Sequence, residues 1–174
     1  MKAVVIDRPR SLRIEDIPVP QTGPEDVVVR VGACGVCGTD VHIFHGGFRA
    51  DYPVIPGHEF AGEIVEAGDA VTHVKIGDHV TVDPNIHCGV CPYCHRGLVH
   101  LCQNLTALGV NLPGGFQEFC RVPAKQVYRL PSDLPWEEGA FVEPLACCVH
   151  GIDRARIEPA ESVVVIGAGS IGLL

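Results

Sequence analysis

The chain has 174 residues, is 47% hydrophobic and 20% charged, and carries a formal charge of −8 at pH 7. That length suits one well-buried domain with a modest remainder, and an acidic balance without Lys/Arg clusters argues against nucleic acid or an anionic membrane as partner. No apolar run approaches the ~20 residues needed to span a bilayer. The first residues, Met1-Lys-Ala-Val-Val-Ile6, lack the apolar core and cleavage site of a secretory signal. Nine cysteines, an odd number, fit a reducing cytosol better than a disulfide framework, so a cytoplasmic protein is expected. Aromatic residues are scarce, which leaves the core to Val, Ile, Leu and Ala.

Short β-segments are predicted in series. Residues 2–6 are an apolar run and 12–17 alternate apolar with charged side chains. Pro18, Pro20, Gly23 and Pro24 break the chain before a β-branched run at 26–31. Further strands are expected at 61–67, 80–82, 116–122 and 127–130, separated by turn residues. This cadence predicts a mainly β, antiparallel, barrel-like domain. A short helix is expected at 39–45. Residues 136–156 have helical spacing, with Ser132 and Asp133 as candidate caps and Pro144 marking a break between two helices. The run Ser162-Val-Val-Val-Ile166 reads as a buried parallel strand.

Four cysteines are concentrated in Cys88-Gly-Val-Cys91-Pro-Tyr-Cys94, with Cys102 after a seven-residue gap. Thiols this crowded either pair as disulfides or share a metal. Two-residue gaps let a tight knuckle aim two sulfurs at one point, and a tetrahedral zinc takes four such donors. An iron–sulfur cluster is the nearest competitor. The bacterial ferredoxin run, however, places its fourth cysteine three residues on, followed by proline, whereas Cys102 is followed by Gln103. A four-sulfur zinc site leaves no open position, so this zinc is expected to hold a loop together and do no chemistry.

The predicted strand at 162–166 runs into Gly167-Ala-Gly169-Ser-Ile-Gly172. Strand followed by G-x-G-x-x-G is the context of a dinucleotide site. The first glycine makes the turn, the second lets a pyrophosphate approach, and the third lets helix pack on strand. Neither the helix this turn opens nor the later acidic residue is expected within the chain. The segment therefore reads as the beginning of a dinucleotide-binding domain without the remainder.

Other metal-capable residues are dispersed: Cys37 after Cys34, His58 and Glu59 in Pro56-Gly-His-Glu-Phe60, and Glu143. Taken singly, each has an ordinary structural explanation, as a buried thiol, a hydrogen-bonded turn histidine or a solvated carboxylate. Cys34 and Cys37 could form a redox pair, but no thioredoxin-like βαβ pattern surrounds them.

In order, the motifs C-G-T-D-V-H, P-G-H-E-F-A-G, I-G-D-H-V, the cysteine knuckle, G-G-F-Q-E-F, E-P-L-A and G-A-G-S-I-G resemble those of the zinc-dependent medium-chain dehydrogenases. The match is specifically to the polyol (sorbitol-like) and threonine dehydrogenase side of that family. The resemblance implies a GroES-like catalytic domain at 1–156, with a structural-zinc lobe at 85–105. It also implies the first strand and turn of a truncated Rossmann domain at 157–174, which in the family is followed by a short return segment to the first domain.

By the same resemblance Cys37 and His58 would be catalytic zinc ligands. Glu59 and Glu143 compete for the third protein position, because one thiolate, one neutral imidazole and one carboxylate neutralise the ion and leave a site open. Thr39 and His42 would relay a proton by way of the cofactor ribose, and Gly167, Gly169 and Gly172 would hold NAD or NADP. The implied activity is hydride transfer between a secondary alcohol or polyol and NAD(P), in a protein that is a homo-oligomer, dimer or tetramer. The chain alone is expected to be inactive. The alternative is a non-catalytic zinc-binding module. His73, His79, His87, His95 and His100 need no role, Cys120, Cys147 and Cys148 are read as small buried hydrophobes, and Phe48 and Phe116 are candidates for a substrate pocket.

Overall fold

The computed structural model describes all 174 residues. Strands β1 (Lys2–Arg8) and β2 (Ser11–Asp16) form an antiparallel pair, followed by β3 (Asp26–Gly35) and α1 (Gly38–His45). Next come β4 (Glu59–Ala67), β5 (His79–Val82), β6 (Asn85–Ile86), β7 (Thr106–Ala107), β8 (Phe119–Pro123) and β9 (Val127–Arg129). Helices α2 (Trp136–Ala140), α3 (Val142–Ala155) and α4 (Ser170–Leu173) complete the chain. The main sheet has the order β8-β3-β4-β5-β9 and is antiparallel throughout.

The inner face of this sheet is the core. Val27, Val29, Phe60, Ile64, Val80, Val82 and Val122 are fully buried on it, as expected of β-branched residues on a pleated surface. The two-stranded β1–β2 sheet closes over one end. Ile6 exchanges backbone hydrogen bonds with Val54 at 2.9 Å in both directions, and the Val4 N–H donates to the Phe116 carbonyl at 2.8 Å. A small satellite core of Ile6, Ile43 and Val54 seats α1 against this closure.

All seven strands expected in the β-domain form. The one expected at 116–122 begins only at Phe119, because Phe116 and Gln117 turn their backbone to β1 instead. Strands β6 and β7 have no counterpart in the sequence reading. They are a two-residue pair at the base of the cysteine loop, too short to show a period.

The helical region differs in its punctuation. The break between α2 and α3 falls at Phe141, and Pro144 lies inside the first turn of α3. A helix leaves its first N–H groups unpaired in any case, so proline costs no hydrogen bond there. Ser132 and Asp133 cap nothing. They are the centre of a turn closed by the Leu134 N–H onto the Pro131 carbonyl at 3.2 Å, and Pro135 precedes α2.

Residues 162–166 form no strand, and Ile166 is 95% exposed. A parallel strand exists only through its neighbours, and no other strand of this chain lies beside these residues. The first turn of the helix after the glycines does form, as α4.

Phe60→Ala is expected to lower the unfolding free energy by about 3–5 kcal/mol in urea denaturation. Ile14→Ala, at a position 70% exposed, should stay within ~0.5 kcal/mol.

Candidate metal centres and active site

The lobe between β6 and β7 is folded around its cysteines. The Cys91 and Cys94 sulfurs lie 3.5 Å apart, Cys88 and Cys94 4.0 Å, and Cys91 and Cys102 4.0 Å. Disulfide sulfurs sit ~2.05 Å apart, so no pair is bonded, and all nine cysteines are free. Four sulfurs ~2.3 Å from one tetrahedral ion stand about 3.8 Å from each other, and the observed separations bracket that value. Backbone N–H groups tune the set. Those of Cys94 and Gln103 stabilise the Cys91 thiolate and bring its pKa down to about 6, and that of Val90 lowers Cys88. His87, His95 and His100 stay outside the cluster.

A second cluster forms where β3 ends, α1 begins and β4 begins. Cys37 occupies the N-cap of α1, and Glu59 opens β4 opposite Gly35. The donor atoms of Cys37, His58 and Glu59 all lie within 4.8 Å of one another. One thiol, one imidazole and one carboxylate fit zinc by type. Tetrahedral bonds of 2.0–2.3 Å need donor separations of about 3.3–3.8 Å, within reach of small side-chain shifts.

The residue that builds this cluster is Asp40, which the sequence reading did not single out. It is 4% exposed. Its Oδ2 accepts the Cys37 N–H at 2.8 Å and its Oδ1 the Gly57 N–H at 3.1 Å, and Oδ1 also lies 3.5 Å from His58 Nδ1. That ring nitrogen is buried with no hydrogen-bond partner. Burial alone would lower the His58 pKa, but the Asp40 carboxylate and Cys37 outweigh it and raise the value to about 9. The available signal was Cys37-x-x-Asp40 at a helix start, the spacing at which an acidic side chain turns back to the N-cap backbone. Gly57 is equally constrained. Its φ is +89°, and a Cβ would lie 2.6 Å from the Phe116 ring and 2.9 Å from Cys34 Sγ, so only glycine fits before His58.

Beside the cluster is a cavity of about 490 Å³ lined by Thr39, Phe48, His58 and Glu143, with Asn85, Ala107 and Asn111 from the base of the cysteine lobe. Glu143 shares the cavity with His58 but lies outside the Cys37–His58–Glu59 cluster. Burial raises its pKa, His58 lowers it and Glu59 raises it again. Of the expected relay, Thr39 lines the cavity, whereas His42 is solvent-exposed on the next turn of α1. Phe48 borders the cavity, but Phe116 belongs to a separate apolar groove with Val4, Ile6 and Phe44.

Cys120 is fully buried, and burial pushes its thiol up to about 12. Cys147 is exposed and Cys148 half-buried, because α3 buries only Pro144. Burial also raises the Cys34 pKa steeply, which leaves little thiolate for a redox pair with Cys37.

Gly167 has φ +112°, a Cβ on Gly169 would meet open space, and one on Gly172 would collide with the Gly167 carbonyl. Gly167 by its φ and Gly172 by its close approach thus require glycine, and Gly169 leaves the turn open on its outer side.

The alcohol dehydrogenase GroES-like domain family matches residues 23–132. The chain belongs to this family. It is 42% identical over 174 residues to D-arabinitol dehydrogenase 1 of Uromyces fabae, covering 100% of this chain and 50% of that protein. Among solved structures it is similar to a Sinorhizobium meliloti 1021 protein bound to NADP (TM-score 0.96, 47% identity, 99% of this chain, 50% of the other). It is also similar to galactitol-1-phosphate dehydrogenase from Escherichia coli (TM-score 0.93, 35% identity, 99% and 50%). The chain spans about half the length of the relatives it matches. The mainly β GroES-like fold expected from the sequence is that of its family.

Cys94→Ser should reduce bound zinc by one equivalent by elemental analysis and open the 85–105 lobe to protease, since a lobe poor in apolar residues loses its folding energy with the metal. For the metal-free protein, the His58 pKa is raised from 6.5 to about 9 on folding. Protonated His58 thus contributes stability that is fully present below pH ~6.5 and lost as pH rises through about 9. Asp40→Asn is expected to flatten this dependence, read from urea midpoints at pH 6 and 9.5 and from the His58 NMR titration.

Proposed function

We propose that this chain is the zinc-bearing catalytic part of an NAD(P)-dependent dehydrogenase that moves hydride between the CH–OH group of a small secondary alcohol or polyol and nicotinamide. The observation that carries this reading is the convergence of Cys37, His58 and Glu59 beside a cavity that also exposes Thr39 and Glu143. The domain division at about residue 156 belongs to the same reading, with 157–174 opening the dinucleotide-binding part.

Cys37 and His58, with Glu59 as the carboxylate of the cluster, would hold zinc, which would supply the Lewis acidity for an alcohol to lose its proton near neutral pH. Glu143, which faces the same cavity, is placed to accept a hydrogen bond from a water or a substrate hydroxyl, or to exchange with Glu59. The Thr39 hydroxyl would accept the proton of the reacting hydroxyl while giving its own to the cofactor ribose. From there His42, one turn on and in water, would return a proton to solvent. Gly167, Gly169 and Gly172 would hold the cofactor pyrophosphate. Cys88, Cys91, Cys94 and Cys102 hold a structural zinc.

Polyols are favoured over simple alcohols because the cavity carries a carboxylate and two amides that can pair with several hydroxyls. The polyol substrates named for the relatives agree with this. Nine unbridged cysteines support a reducing, cytoplasmic setting. No helix is long and apolar enough to cross a membrane. A homo-oligomer, dimer or tetramer, is the reading that the resemblance supports.

The test is a parallel assay of the full-length enzyme with sorbitol, xylitol, threonine and ethanol. Ethanol is expected to have the lowest kcat/KM, and Cys37→Ala should abolish turnover of all four. If ethanol has the highest, the polyol assignment falls. The 174-residue chain alone should not reduce NAD(P).

A further inference from the structure

The cavity beside Thr39, His58 and Glu143 has a cationic wall that the proposed reaction does not use. Arg49 lines it next to Phe48, and no other Lys or Arg does. Arg49 makes no ion pair, although Arg13, Arg30 and Arg121 each face a carboxylate. The neighbouring acid Asp51 is engaged elsewhere, its Oδ2 accepting a hydrogen bond from Asn111 Nδ2 at 3.1 Å. Asn111 is fixed in turn, its Oδ1 accepting the Ala107 N–H at 3.1 Å. Seven of the chain's ten arginines make no ion pair, and Arg49 is the one of these that lines the cavity. Its exposed guanidinium presents its donors to whatever enters.

We infer that Arg49 is a specificity residue that receives a carboxylate or phosphate on the substrate, so that the preferred alcohol is a hydroxylated acid or a polyol phosphate rather than a neutral polyol. The inference rests on the dehydrogenase reading of this site. A planar guanidinium pairs with such oxyanions in bidentate fashion, more specifically than an ammonium can. A cavity of about 490 Å³ is roughly 10 Å across if rounded, enough for a small polyol and one anionic group. Glu143, which also lines the cavity, disfavours an anion beside itself more than a neutral hydroxyl. The cation thereby sets orientation, with the anionic end at Arg49 and the hydroxyls toward Thr39 and His58.

The test compares full-length wild type with Arg49→Leu and Arg49→Lys on two substrate pairs, galactitol 1-phosphate against galactitol and threonine against threoninol. The ratio of kcat/KM for the anionic member over the neutral one should fall roughly 10- to 100-fold in Arg49→Leu, mostly through KM, with part retained in Arg49→Lys. The pair that shows the effect identifies phosphate or carboxylate as the group. An unchanged ratio in both pairs overturns the inference while leaving the dehydrogenase reading intact. If wild type oxidises none of the four, nor sorbitol, xylitol or ethanol, that reading fails instead. Calorimetric binding of galactitol 1-phosphate and of threonine then still decides Arg49. Affinity for either one lost in Arg49→Leu supports the inference, and unchanged affinity for both overturns it.

Discussion

Asp40 is a buried carboxylate with three obligations. It accepts the backbone N–H of Cys37, accepts that of Gly57, and faces the His58 ring. Cys37 and His58 are 21 positions apart in the chain, and nothing in the sheet register alone would aim both at one point. A desolvated carboxylate is costly unless its oxygens are occupied. The arrangement that occupies them brings the ends of β3 and β4 together in one geometry. Gly57 permits it by taking a positive φ where no side chain would fit against Phe116 and Cys34.

The cysteine lobe is more than an appendage. It hangs from the two-residue β6–β7 pair, and that pair supplies Asn85 and Ala107 to the cavity wall, while Asn111 just beyond it locks to Ala107. A closed four-thiol site therefore acts at a distance on the candidate active site. By fixing the loop it fixes the register of a hairpin too short to hold itself. The two clusters differ in kind: one draws four thiols together, and the other sets three donors beside a cavity.

The apolar residues of α3 and of 162–166 lie largely in solvent, in contrast to the fully buried inner face of the main sheet. An amphipathic helix or a Val-rich run is a statement about what a segment requires, not about where it will find it. The same consideration explains Cys147 and Cys148, which composition assigns to a core and the fold leaves exposed or half-buried.

Local pattern determined the β-strands, α1, the four-cysteine knuckle and the glycine turn, because each depends on neighbours within a few residues: alternation, a cap, a tight turn. Residue type also marked Cys37, His58, Glu59 and Glu143 as metal-capable. Only the tertiary structure shows which of them lie together. Glu59 joins Cys37 and His58 because the β3–β4 register sets it opposite Gly35, whereas Glu143 arrives from a helix on the other side of the cavity. Asp40, the β6–β7 pair and the separation of Phe48 from Phe116 were likewise invisible in the linear chain. Burial and long-range hydrogen bonding are properties of where segments meet, and the sequence writes those meetings only in the sum of all its contacts.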